Sequence, residues 1–222
     1  MTMRRSESCH CILCGTSTSH DICSGCDREL PRIKYSCRQC GIPLQHDSLC
    51  GDCLIAPPMI SRCIAALRYE PPISHLIGSF KYQSNFNHGR ILSQLLIERL
   101  RLEDIAAIDA LIPVPLHWYR RWQRGFNQSE IIADELSRAL KLPMHTRWLR
   151  KIRRGTPQQH LDSEARHRNL HDAFVCTRDV ADMHLAVIDD VVTTGATANA
   201  IAKTLRDRGA ASVQVWALAR TP

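Results

Sequence analysis

The sequence predicts an α/β fold, a parallel sheet flanked by helices, behind a small cysteine-rich N-terminal module. Three observations predict it. From residue 62 onward, short apolar runs alternate with segments of helical apolar spacing, the pattern of strands joined by crossover helices. Eight of the eleven cysteines form four CxxC pairs within residues 11–53. Pro57–Pro58 separates the two regions, because proline fixes φ and disfavours helix before it. The expected domains are therefore residues 1–56 and 57–222.

The pairs are Cys11–Cys14, Cys23–Cys26, Cys37–Cys40 and Cys50–Cys53, an approximate repeat of CxxCG, a gap and CxxC. No apolar run follows the arginines near the N-terminus, as a secretory signal requires. No stretch approaches the roughly 18–20 apolar residues of a membrane span. A cytoplasmic place is expected, where thiols stay reduced, so the pairs read as two structural Zn²⁺ sites of four thiolates each. Sequential pairing, 11/14/23/26 and 37/40/50/53, is the simplest; interleaved pairing also satisfies the spacing. Zinc matters because about 50 residues bury little core, whereas a structural site contributes on the order of 10–16 kcal/mol of apparent binding energy. Cys9, His10, Cys63 and Cys176 read as non-ligands. Pure scaffolding and contact with DNA or a partner are both open to the module.

In the second region RCIAALRY (62–69) reads as a strand, and ISHLIGSFKY (73–82) and ILSQLLIERL (91–100) as helices. Lys81–Tyr82 is read as a helix end rather than a ligand contact. ALIPVP (110–115) is a buried strand entering a proline loop, and GFNQSEIIADELSRAL (125–140) has a helical stripe at 131, 132, 136 and 140. HLAVID (184–189) is a strand, ATANAIAKTLRDRG (196–209) a helix closed by Gly209, and SVQVWALA (212–219) a last strand. Residues 149–172 are polar, basic and without apolar periodicity, and we read them as a mobile lid.

The net charge of +7 is unevenly placed. Residues 117–170 hold twelve basic against five acidic side chains, while residues 1–56 balance at six each. Zinc-bound thiolates would turn the N-terminal module negative. A basic segment suits pyrophosphate, nucleotides or nucleic acid; a solvated surface is the plain alternative.

The chemistry sits in LAVIDDVVTTGAT (185–197). An apolar strand delivers Asp189 and Asp190 to its end, a hydroxyl-rich loop with Thr193, Thr194, Gly195 and Thr197 follows, and a helix begins at once. Ligands of open α/β sheets bind at the carboxyl ends of strands. A helix N-terminus offers unpaired N–H groups and partial positive charge to a phosphate, and glycine lets the backbone approach closely. The acids suit vicinal ribose hydroxyls, which donate, and cannot hold a phosphate. A Walker-type loop is excluded, since no GK[ST] follows the glycine.

This segment resembles the signature for phosphoribosyl pyrophosphate (PRPP) of type I phosphoribosyltransferases. Together with PVPLHWYRRWQRGFNQSEIIADELS (113–137), TPQQHLDSEARHRNLHDAF (156–174) and the cysteine repeat, it resembles the ComF/GntX family over nearly the whole chain. The resemblance implies a type I phosphoribosyltransferase-like domain behind a double zinc ribbon, binding of PRPP or a nucleotide through its ribose 5-phosphate, and a link to competence and DNA utilisation. Asp189 and Asp190 would hold the ribose 2′- and 3′-hydroxyls, and Thr193, Thr194, Gly195, Ala196 and Thr197 would wrap the 5′-phosphate. Pro115–Leu116–His117 would be the pyrophosphate loop; Arg124, Arg166 and Arg168 would be the cations over it, with residues 150–170 the flexible catalytic loop. As catalytic residues it implies Asp189, Asp190, Arg124 and Arg166, with Mg²⁺ bridging pyrophosphate and ribose oxygens. Arg124 is otherwise a surface arginine ahead of a helix cap.

Glutamine amidotransfer is not expected, since the chain opens Met1–Thr2 without an N-terminal cysteine nucleophile. Three residues beyond the last strand leave little for a C-terminal acceptor hood. The hood would come from residues 60–90 or the zinc module, or be absent, which suits a large acceptor such as a nucleic-acid end. The other reading is a non-catalytic protein that senses PRPP or holds single-stranded DNA, with other DNA-uptake proteins as partners. For it, Trp118, Tyr119, Trp122 and Phe126 interleave with Arg120, Arg121 and Arg124; Trp118, Trp122 and Phe126, at i, i+4 and i+8, also fit a packed helix stripe.

Overall fold

The computed structural model describes residues 9–105, 107–116, 124–152 and 173–222. Its centre is a four-stranded parallel sheet of β3 (Arg62–Arg68), β4 (Ala110–Pro113), β7 (His184–Val192) and β8 (Ser212–Arg220), in the order β3-β8-β7-β4. β7 and β8 are buried on both faces, as their continuous apolar runs require of a covered parallel sheet. Helices α3 (Ile73–Tyr82), α4 (Phe86–Arg101) and α5 (Gln128–Leu140) cover one face, where Phe80, Leu96, Ile132 and Leu136 pack on Ile188 and Trp216. Helix α6 (Ala196–Arg206) covers the other through Ile201, Ala202 and Leu205. Gln214 is buried within the sheet, and its Oε1 accepts from Trp216 Nε1 at 3.1 Å.

The N-terminal module has a small antiparallel ribbon, β1 (Cys9–His10) with β2 (Ser17–Thr18), and two one-turn helices, α1 (Ser24–Arg28) and α2 (Gly51–Ile55). It is packed into the sheet domain. Ile33 N donates to Ala66 O, Arg68 N donates to Pro31 O, and Arg32 bridges Leu67, so residues 31–33 extend the sheet antiparallel to β3. Leu30 joins the core beneath α3 and α4, and Ile33 and Ile60 join the core beneath α6.

Element positions follow the sequence closely, with instructive differences. α5 starts three residues into the segment 125–140 read as helical, because Gly125 has φ 78° and Asn127 caps the helix by accepting from Ser129 N. α4 starts earlier, at Phe86, capped by the Asn85 side chain on His88 N. α6 stops at Arg206, and Gly209, with φ 91°, turns the chain beyond it. The segment read as a lid begins as structure: β5 (Leu149–Lys151) pairs antiparallel with β6 (Phe174–Cys176). Residues 153–172, with Arg166 and Arg168, lie outside the described residues, as do His117, Trp118, Tyr119, Arg120, Arg121 and Trp122.

Gly89 shows how tightly α3 meets α4. A Cβ there would lie 2.6 Å from the fully buried Phe80 ring, which also packs against Phe126. Glycine to alanine within a helix ordinarily stabilises by about 1 kcal/mol. Here overpacking reverses the sign: Gly89→Ala should cost about 1–3 kcal/mol, read as a lower midpoint in chemical denaturation. A raised midpoint would contradict this packing.

Candidate functional site

The two cysteine sets are separate and sequential. Cys11, Cys14, Cys23 and Cys26 bring their sulfurs within 4.8 Å of one another, and so do Cys37, Cys40, Cys50 and Cys53. Four sulfurs about 2.3 Å from a tetrahedral zinc stand about 3.8 Å apart. The Cys14–Cys23 and Cys40–Cys50 sulfurs are 3.7 and 3.6 Å apart, matching that spacing and far beyond a disulfide. Gly15 and Gly41, at φ 75° and 71°, close two equivalent knuckles by donating to Cys11 O and Cys37 O. Cys23 N and Cys50 N donate to the Cys11 and Cys37 sulfurs. Burial opposes ionisation of Cys11 and Cys37, but the converging backbone N–H groups outweigh it and lower both to about 6. The donor set fits Zn²⁺, which would bind it as thiolate. Cys63 and Cys176 lie outside both sets.

The second cluster forms where β7 outruns β4. β4 pairs with β7 as far as Ile188 and ends, whereas β7 continues beside β8 to Val192 and Arg220. Asp189 and Asp190 therefore lie inside the strand, on the stretch that β8 still flanks and that has no strand partner on the β4 side among the described residues. The sequence places them at its end; the extra three residues come from the length of β8.

Two helices meet them. Lys81, in the last turn of α3, places Nζ 2.9 Å from Asp190 Oδ1, with both side chains largely buried. Ser129, in the first turn of α5, donates to Asp189 Oδ1 at 3.3 Å, and Asp190 N donates to the same oxygen at 2.9 Å. Asn127 donates through Nδ2 to Val114 O at 3.0 Å, fixing the chain that leads to the half-buried Pro115 and Leu116. Arg124 lies over the Tyr82 ring at 5.0 Å and donates to Gln128 Oε1 at 3.2 Å. It thus faces the helix end that carries Lys81. Phe126 packs edge-on against Phe86, centroids 4.9 Å apart, and belongs to the core rather than to an aromatic platform.

Beyond the acids, Thr193 and Thr194 lead into Gly195, whose φ of 77° starts α6. A Cβ at Gly195 would meet nothing within 4 Å, so the glycine serves conformation, over open space. Thr194 Oγ1 accepts from Ala196 N at 3.3 Å, and Thr197 follows in the first turn. Burial, then the Asp190 charge, pushes the Asp189 carboxyl up to about 7, against the Asp190 N–H, Lys81 and Ser129.

Lys81, Ser129, Asn127 and Arg220, which holds the Thr193 carbonyl, are absent from the sequence-predicted set. Lys81 was visible as a cation ending a helix. Ser129 carries no sequence signal beyond its place in the helical segment 125–140.

The double zinc ribbon domain family matches residues 8–54. The DNA utilization protein YhgH of Salmonella typhimurium is 37% identical over 219 residues, 95% of this chain and 96% of that one. Competence protein F of Haemophilus influenzae is 35% identical over 221 residues, with the same shares of the two chains. The chain belongs to the competence protein F family. Competence protein ComFC of Bacillus subtilis is 25% identical over 95% of both chains. Among solved structures, a glutamine PRPP amidotransferase from B. subtilis overlays with a TM-score of 0.40 at 21% identity, covering 59% of this chain and 26% of that one. A purine phosphoribosyltransferase from Pyrococcus horikoshii gives 0.35 at 17%, covering 57% and 70%. No helix among the described residues is long and apolar enough to cross a membrane.

The raised Asp189 value has a consequence in this competence protein F relative. The folded state holds the proton more tightly than the unfolded chain, whose value is near 3.8. The contribution is complete below about 3.8 and is lost as pH rises towards 7. Asp189→Asn should therefore gain stability over the parent as pH rises from 5.5 to 8, by an amount on the order of a few kcal/mol. Paired thermal melts across that range measure it; a difference that does not change with pH would contradict the assignment.

Proposed function

We propose that the chain binds PRPP, or a nucleotide sharing its ribose 5-phosphate, where β7 outruns β4. The observation that carries this reading is the sorting of groups along Asp189–Thr197. Two acids, acceptors for a ribose diol, stand on an open strand edge, and a glycine in the left-handed region then exposes the first turn of a helix. That turn offers N–H groups without intrahelical partners to a phosphate. Thr193, Thr194 and Thr197 add hydroxyls, and Gly195 and Ala196 add backbone.

Lys81 restrains Asp190 until the hydroxyls of a ligand compete for its oxygens, and Ser129 holds Asp189 in place. Pro115, Leu116 and Arg124 border the pyrophosphate side, with His117, Arg166 and Arg168 assigned there by the resemblance. Mg²⁺ would accompany pyrophosphate and offset its negative charge. With an acceptor, displacement at C1′ would free pyrophosphate, and the arginines would stabilise its charge, Arg124 and Arg166 foremost. Relatives named for DNA utilization and competence support a place in processing incoming DNA, with an open acceptor side that admits a nucleic-acid end. Titration with PRPP and Mg²⁺ tests the site. The Asp189→Asn/Asp190→Asn double variant should bind at least about 100-fold more weakly, two lost charge-assisted hydrogen bonds at about 1.5–3 kcal/mol each. Equal binding by parent and double variant would remove the proposal.

A second reading, retention of single-stranded DNA, is favoured by a different surface. At the base of the β5–β6 ribbon a cavity of about 480 Å³ is lined by Arg147, Arg150 and Arg178 around a stacked pair, His145 on Trp148 at 3.7 Å and 7°. Burial and then the Arg178 charge lower the His145 value, so the imidazole adds a neutral flat face between cations. Arg147→Ala/Arg178→Ala should weaken binding of a short oligothymidylate at least tenfold and flatten its salt dependence, with PRPP binding unchanged. Unchanged oligonucleotide affinity would dismiss this surface.

A further inference from the structure

The last residue of β8, Arg220, is a buried cation that the functional reading leaves unused. Among the described residues no carboxylate pairs with it, and its guanidinium is instead held by main-chain oxygens from two directions. Nε donates to Cys40 O at 3.2 Å, in the second zinc knuckle. Nη1 donates to Thr193 O, in the turn before Gly195, to Val192 O at 3.5 Å, and to Thr221 O and Oγ1 at 2.8 and 3.0 Å. Burying a cation is costly unless it is hydrogen-bonded, and among the carbonyls that Nε and Nη1 use are those of a zinc ligand, Cys40, and of the phosphate turn, Thr193.

A second contact runs in parallel. Met59 N, in the linker leaving the second ribbon, donates to Asn199 Oδ1 at 2.6 Å, in the first turn of α6. The same knuckle is seated hard on the sheet, since a Cβ on Gly41 would lie 2.8 Å from the Cys63 sulfur. The first ribbon makes a different set of contacts, with Ile12, Leu13 and Ile22 against the α3–α4 face, far along the chain from the phosphate turn.

We propose that Arg220 is a positioning residue that makes the second zinc site, and not the first, a support of the phosphate-binding turn. Zinc fixes the Cys37–Gly41 knuckle, the Cys40 carbonyl fixes the guanidinium, and the guanidinium fixes Thr193 and hence the approach to Gly195. Loss of zinc from the second site releases that chain of contacts and loosens residues 193–197. Loss from the first site leaves it intact. The coupling is reciprocal: a phosphate bound at residues 193–197 tightens the equilibrium affinity of Cys37, Cys40, Cys50 and Cys53 for zinc. The ligand side of this inference rests on the ribose 5-phosphate reading above.

Amide exchange of the full-length zinc-loaded chain tests it, with peptides from residues 191–199 as the readout and peptides from α4 as an internal reference. Arg220→Gln should retain two zinc ions, keep α4 protected and exchange at least tenfold faster at 193–197. Arg220→Lys, which keeps the charge but reaches fewer carbonyls, should fall between Arg220→Gln and the parent, and it decides the matter if Arg220→Gln does not fold. Cys40→Ser should loosen the same peptide where Cys14→Ser does not. Isothermal titration with ribose 5-phosphate should show at least a tenfold weaker affinity for the Arg220 variants. Parent-like exchange at 193–197 in Arg220→Lys, or equal loosening by Cys14→Ser and Cys40→Ser, would overturn the coupling. Exchange is measured without ligand, so a parent chain that ignores ribose 5-phosphate overturns the ligand reading and leaves the exchange result to decide the coupling.

Discussion

The cluster at the end of the sheet depends on one mismatch of strand lengths. β8 keeps pairing with β7 to Arg220, while β4 stops at Pro113, opposite Ile188. Two acids are thereby held on a strand whose β4 side has no strand partner beyond Ile188 among the described residues. Asp189, buried beside the Asp190 charge, resists ionisation. The fold answers from both neighbouring helices, with Lys81 at the end of α3 and Ser129 at the start of α5. These placements depend in turn on the Phe80–Phe126 packing and on the Asn127 cap. Helix positions that look like core design from the sequence are thus also the settings of the acid pair.

Zinc extends the same logic to the N-terminal residues. Each ribbon is too small to hold its shape by burial. Their thiolate sets fix two knuckles of like geometry, and the residues between them join the sheet edge along β3. The second knuckle contacts β3 through Gly41 and Cys63, and β8 through Cys40 and Arg220. The ribbons and the sheet therefore share two cores, although the sequence changes character sharply at Pro57–Pro58.

Much of this was legible from spacing alone. The CxxC repeat implied two four-thiolate sites, and sequential pairing, the simpler arrangement, is the one the sulfurs adopt. Apolar runs located all four central strands, because strands covered on both faces tolerate little else. What spacing could not show were contacts between elements far apart in sequence. Lys81 meeting Asp190 and Arg220 meeting Cys40 span more than 100 residues each and leave no local period. Ends were misplaced where a polar cap or a glycine, not an apolar stripe, sets them, as at Asn127 and Asn85. The last apolar run ends at Ala219, whereas the strand runs on to Arg220, whose charge is accepted by carbonyls.

The central claim is that Asp189–Thr197 reads a ribose 5-phosphate. A crystal structure of the zinc-loaded chain with PRPP and Mg²⁺ tests it most directly. The account predicts the 5-phosphate against the first turn of α6, near Gly195 and Ala196, and the ribose diol on Asp189 and Asp190 with the Lys81 contact loosened. Density for PRPP elsewhere, as among Arg147, Arg150 and Arg178, with the Lys81–Asp190 pair undisturbed, would contradict it.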